Sequence, residues 1–134
     1  MTQTSPMEPF ERHEEIVDYS RQAREFLAKS RQYLAEDDLH QAAEKGWGAA
    51  AWMAKAVAVA QEWEYNRHAQ FNVVMYQAQD LCGDARLDDL RGTANELHGY
   101  FYTRKIFLRA DVISRELDRM ALLLDILTPL TETN

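Results

Sequence analysis

Arg91, Asn95, His98, Tyr102 and Lys105 follow one another at alternating spacings of four and three residues. On a helix turning ~100° per residue, the five side chains fall within a sector roughly 80° wide. A guanidinium, an amide, an imidazole, a phenol and an ammonium would then share one polar strip. An imidazole exchanges protons readily near neutral pH, so His98 could serve as general base toward a ribose 2′-hydroxyl, or as acid toward a leaving oxygen. Arg91 precedes it by seven residues, ~10 Å along a helix axis, and a long arginine can bridge much of that distance. It could hold a phosphate through two hydrogen bonds and stabilise the charge that builds in the transition state. Asn95 and Tyr102 could orient a substrate, while Lys105 supplies long-range attraction. Together these residues fit cleavage of RNA without a metal. The same strip also fits a plainer role, as the polar edge of a helix sealed by acids of the first helix or by a partner surface.

Other constellations are weaker. Paired Glu-x-x-His motifs of a di-iron bundle are missing, and Asp37-x-x-His40 stands alone. His40 with Glu44, and Glu64 with His68, sit four apart and read as neighbours on a helix surface. Cys82 is the only cysteine, which rules out an intrachain disulfide and a cysteine zinc site; its place on an apolar face predicts a buried small hydrophobe. Gly46 and Gly48 lie inside a helical segment and form no phosphate loop. The expectation is therefore no metal and no cofactor. Glu44 and Lys45 read as the polar edge of the second helix rather than the lining of a cavity. Trp47, Trp52 and Trp63 with Tyr65 could stack bases, but aromatics in a bundle are more often core or dimer contacts, and Trp47 is assigned to the core.

The elements that must position these residues are helical. Residues 1–9 read as a flexible leader and 10–130 as a single domain, since 134 residues suffice for one core. Ile16, Tyr19, Ala23, Phe26, Leu27, Ser30, Tyr33 and Leu34 predict a first helix over 10–35. Asp37 and Asp38 suit the start of a second, 39–62, whose Ala and Gly residues imply a central helix with close neighbours. Asn66 is the expected cap of a third, with Phe71, Val74, Met75, Ala78, Leu81 and Cys82 on its face and Gly83 as its stop. A fourth, 85–105, carries Leu87, Leu90, Ala94, Leu97 and Phe101. A fifth runs from about Val112 to Pro129. Period-two apolar runs are missing, so no strand is expected. The fold class is all-α, an antiparallel up-and-down bundle of four to five helices.

A net charge of −7 argues against a broad basic footprint on duplex nucleic acid, yet leaves room for a small local basic site. The longest apolar stretch, 49–60, contains Lys55 and is too short to span a bilayer. No signal segment opens the chain. The expectation is a cytoplasmic protein without membrane attachment.

The segments Ala23-Arg24-Glu25-Phe26-Leu27, Tyr33-Leu34-Ala35-Glu36-Asp37-Asp38 and Gln41-Ala42-Ala43-Glu44-Lys45-Gly46-Trp47-Gly48-Ala49-Ala50 resemble the opening helices of HEPN-type domains. Leu97-His98 followed by Phe101-Tyr102 is similar to the fourth helix of a prokaryotic branch. The resemblance implies a dimeric four- or five-helix bundle. Many such domains are endoribonucleases, often toxins paired with a small nucleotidyltransferase antitoxin; others bind nucleotides or serve as partner modules. Their catalytic arginine and histidine correspond here to Arg91 and His98. Asn95, Tyr102 and Lys105 are the accompanying candidates for substrate contact.

Overall fold

A computed structural model of the chain describes residues 8–132. Residues 1–7, most of the segment read as a leader, lie outside the described residues.

Helix α1 spans Pro9–Ala35. Pro9, counted with the leader in the sequence, instead opens the helix, where its missing N–H interrupts no bond. Ile16, Ala23 and Ser30 are buried at intervals of two turns, with Phe26, Leu27 and Tyr33 partly buried beside them. Helix α2 spans Leu39–Gln61, and the Asp38 carboxylate accepts the Gln41 N–H at 3.3 Å, as an N-cap should. The chain reverses in between through Asp37, held in the left-handed region at φ 59°.

α2 is the central element and touches α1 as well as α3 (Gln70–Cys82), α4 (Arg86–Gly99) and α5 (Ala110–Leu127). Its two glycines let neighbours approach its backbone. A Cβ on Gly46 would stand 2.6 Å from the Leu117 side chain of α5, and one on Gly48 would stand 2.5 Å from the Phe26 ring of α1. The core fills the space between the helices with fully buried Met53, Phe71, Met75, Leu97, Leu117 and Leu124. Each such side chain contributes about 1.5–3 kcal/mol of transfer free energy.

Three sequence expectations change here. Asn66 does not cap α3; the Gln70 side chain reaches back, its Oε1 accepting the N–H groups of Asn66 and Arg67. Cys82 and Leu81 are exposed, not buried, because the core contact of α3 ends at Ala78 and the apolar stripe runs on past it. Gly83 stops the helix at φ 72°, as expected. Finally, α4 ends at Gly99 rather than near Lys105. A 3-10 turn follows at Tyr100–Tyr102, and a second at Lys105–Phe107 leads into α5. The Tyr100 hydroxyl lies 3.0 Å from Glu96 Oε1 and 2.9 Å from Glu116 Oε1, anchoring the chain where the helix would have continued. Phe101, expected in the apolar face, is consequently exposed. Among the described residues there is no strand, and the all-helical bundle stands as expected.

Candidate functional site

The short link 83–85 makes α3 and α4 antiparallel neighbours, and this pairing decides what the polar strip of α4 meets. From the N-terminal end, Arg91 lies against Tyr76, Asn95 against Asn72, and His98 against His68. The Arg91 guanidinium carbon stands 4.9 Å from the Tyr76 ring centre. One of its terminal nitrogens donates to Asp88 at 3.1 Å, while its Nε is buried without a hydrogen-bond partner. The Asn95 amide donates to Asn72 Oδ1 at 2.8 Å and to the Arg91 carbonyl at 3.0 Å. His98 packs on Trp47 with ring centres 4.7 Å apart and on His68 at 5.6 Å. Its Nδ1 faces the Glu44 Oε2 of α2 at 3.4 Å. Both of those atoms are buried and have no hydrogen-bond partner elsewhere. A proton on Nδ1 would satisfy both, fix the ring tautomer and leave Nε2 as the acceptor.

Arg91, Asn95 and His98 therefore do share a side of α4, but different neighbours hold them. Asp88 draws the arginine toward the N-terminal end of the helix, away from His98. Tyr102 and Lys105 leave the strip altogether because the helix has ended before them. Tyr102 is 82% exposed on the first 3-10 turn. Lys105 donates to the Asp37 carbonyl at 2.9 Å and its carboxylate at 3.0 Å, tying the α4–α5 connector to the α1–α2 link. His40 is occupied by the Thr103 carbonyl at 2.6 Å, in the same junction. Among the described residues, no group of three or more His, Cys, Asp or Glu is arranged to hold a metal ion.

A cleft of about 450 Å3 opens on the opposite side of Glu44, between α1, α2 and the loop 62–69. Phe26 forms one wall, and Glu44, Lys45, Gly48, Trp52 and Lys55 of α2 form the floor. Tyr65, Asn66, Arg67 and His68 close it from the loop. The bare Gly48 backbone lets the edge of the Phe26 ring approach α2 closely. Lys45 Nζ rests 5.0 Å from the Phe26 ring centre, and Lys55 Nζ stands 5.0 Å from Trp52 and 5.8 Å from Tyr65. Burial pushes the Tyr65 hydroxyl up to about 12, so the loop presents a neutral phenol. Glu44 and His68 belong to both places, facing the cleft and backing His98.

Glu44 and Lys45, read from the sequence as a polar edge, are thus half-buried parts of the cleft wall. Trp47 is 4% exposed and belongs to the core, as assigned. Trp52 and Tyr65 are the aromatics left with partly open faces. A signal for the cleft was present: Lys45, Gly48, Trp52 and Lys55 recur at helical spacing on one face of α2. The alanine-rich surroundings hid it, since they mark the other faces of the helix as core.

Fold and cleft together define a small all-α bundle with a cationic, aromatic-lined cavity at its central helix. The model of the archaeal PaREP1/PaREP8 family matches residues 18–120, and the chain belongs to that family. No curated protein and no solved structure matches it. No helix of the described residues is long and apolar enough to cross a membrane.

Proposed function

We propose that this chain is a HEPN-like homodimeric bundle that binds RNA or nucleotides in the cleft between α1, α2 and the loop 62–69. The observation that carries this reading is the meeting of Lys45, Lys55 and Arg67 with the faces of Phe26, Trp52 and Tyr65 in one cavity. Cations attract phosphate and aromatic faces stack bases, and a nucleic-acid ligand needs both. The resemblance of the α1 and α2 segments to HEPN-type domains adds to it. So does the exposed patch Phe101, Tyr102, Ile106 and Phe107, a surface of the kind a second copy would cover.

A second reading, RNA cleavage, is favoured by the contact of His98 with Glu44. A carboxylate against Nδ1 is the arrangement that orients an imidazole as general base through Nε2. The arrangement of Arg91 argues against its joining His98 at one phosphate, since Asp88 and Tyr76 engage it. Binding and cleavage separate experimentally. Fluorescence anisotropy with labelled oligoribonucleotides and titration with free nucleotides are expected to give binding that Trp52→Ala or Lys45→Ala weakens at least tenfold. Binding unaffected by either substitution, or absent for every RNA and nucleotide at millimolar concentration, would overturn the proposal. RNA cleavage abolished by His98→Ala and retained by Arg91→Ala would add the enzymatic reading with His98 as its base.

A further inference from the structure

We infer that the cleft takes a free nucleotide carrying more than one phosphate, rather than a length of RNA; the inference rests on the reading just proposed and names its ligand. Size is the first argument. A cavity of about 450 Å3 lies within the range of a single small-molecule site, ~300–1,000 Å3. Single-stranded nucleic acid is ordinarily held along a groove serving roughly four or more nucleotides.

Charge is the second. The chain carries a net charge of −7, and most of its arginines pair with nearby carboxylates. Arg12, Arg24, Arg31, Arg86, Arg91 and Arg109 are all so engaged. Among the described residues, Lys29, Lys45, Lys55, Arg67, Arg104 and Arg119 form no ion pair, and Lys45, Lys55 and Arg67 of these line this one cavity. In an acidic protein, cations left without carboxylates at one concave place mark the destination of an anion. Three of them match a ligand with several phosphate charges better than one with a single charge.

The third argument is the resting position of the two lysines. Lys45 and Lys55 lie over aromatic rings, a weak attraction at partly exposed sites, and their ammonium donors have no acceptor there. Phosphate oxygens offer a charge-assisted bond that readily exceeds it. Moving Lys55 onto a phosphate uncovers the Trp52 and Tyr65 faces between which it rests, so one ligand satisfies both only if it joins phosphates to a planar ring. The cavity is also polarised along α2. Glu44 and Lys55 stand eleven residues apart on one helix, ~16 Å along its axis. The Glu44 carboxylate repels phosphates from its end, so they are directed toward Lys55 and Arg67, beside the Trp52 and Tyr65 faces that take the base.

Isothermal titration of the full chain with ATP, GTP, their nucleosides, inorganic tripolyphosphate and a six-nucleotide RNA tests this directly. The expected result is saturable binding of a nucleoside triphosphate. Removing its phosphates should weaken binding at least a hundredfold, and removing its base at least tenfold. Lys55→Ala and Arg67→Ala should each weaken it at least tenfold with unchanged helical circular dichroism, whereas Arg104→Ala, on the distant connector, should leave it unchanged. Tripolyphosphate binding as well as the nucleotide would overturn the inference, as would Lys55→Ala and Arg67→Ala both binding like the wild type. RNA binding without mononucleotide binding would overturn it while leaving the proposed function standing. Binding of neither would remove both.

Discussion

Arg91 sits where a phosphate-binding arginine was expected, but its surroundings give it structural work. Its guanidinium covers Tyr76 and reaches Asp88, a carboxylate in the first turn of α4. An acid there is already favoured by the helix dipole, so Asp88 tolerates the loss of its partner. The expected cost of Arg91→Ala is therefore mainly the stacking on Tyr76 and the packing of the arginine stem, about 1 kcal/mol in all. Urea denaturation should register that loss while nucleotide binding in the cleft changes less than twofold. A variant of full stability with binding reduced tenfold would return Arg91 to the ligand site. The types and spacing of Arg91, Asn95 and His98 were legible in the sequence because one helix carries all three. Their partners Tyr76, Asn72 and Glu44 were not, since these come from α2 and α3, and the periodicity of one helix says nothing about the register of its neighbours.

Among the elements, α2 depends most on what its residues lack. Gly46 is buried, and a Cβ there would meet the Leu117 side chain at 2.6 Å, with Leu117 itself fully buried. Gly46→Val would remove a poor helix former, a gain of less than ~1 kcal/mol. Against this, two added methyl groups beyond the Cβ have nowhere to go, and overpacking costs ~1–3 kcal/mol or more. The expected net effect is a loss of about 2 kcal/mol, read as a lower denaturation midpoint with an unchanged slope. A variant as stable as the wild type would mean that α5 slides easily on α2. The small residues of α2 announced such a close approach in the sequence, just as Asp38 and Gly83 announced helix ends. The end of α4 was hidden. Gly99 keeps a helical φ of −65°, so nothing local marks the stop, and the anchor that makes it, Tyr100 on Glu116, spans α4 to α5.

That anchor also links the whole molecule to pH. The Tyr100 hydroxyl has one proton but contacts two carboxyl oxygens, Glu96 Oε1 at 3.0 Å and Glu116 Oε1 at 2.9 Å. It can donate to only one, so the second contact is a hydrogen bond only if that carboxyl is protonated. Glu116 is 7% exposed and its Oε2 has no partner. Burial first, and then the neighbouring Glu96 charge, push its carboxyl up to about 7, against the opposing effect of the bond from Tyr100. In the unfolded chain a glutamate titrates near ~4.3. Between these two values the folded protein binds the extra proton, so stability falls as pH rises through the window and stops falling above about 7. The full effect of this group is on the order of 3 kcal/mol. Asp84 and Asp111, held below the usual carboxylate range by Arg86 and Arg109, change their contributions only at lower pH and leave the window clear. Glu116→Gln keeps the shape and a hydrogen-bonding oxygen without the titration. Urea midpoints between pH 5 and pH 8 should decline for the wild type and stay nearly level for the variant, with the variant the more stable of the two at pH 8. Parallel declines would assign the pH response to other groups and leave the Tyr100 junction indifferent to protons.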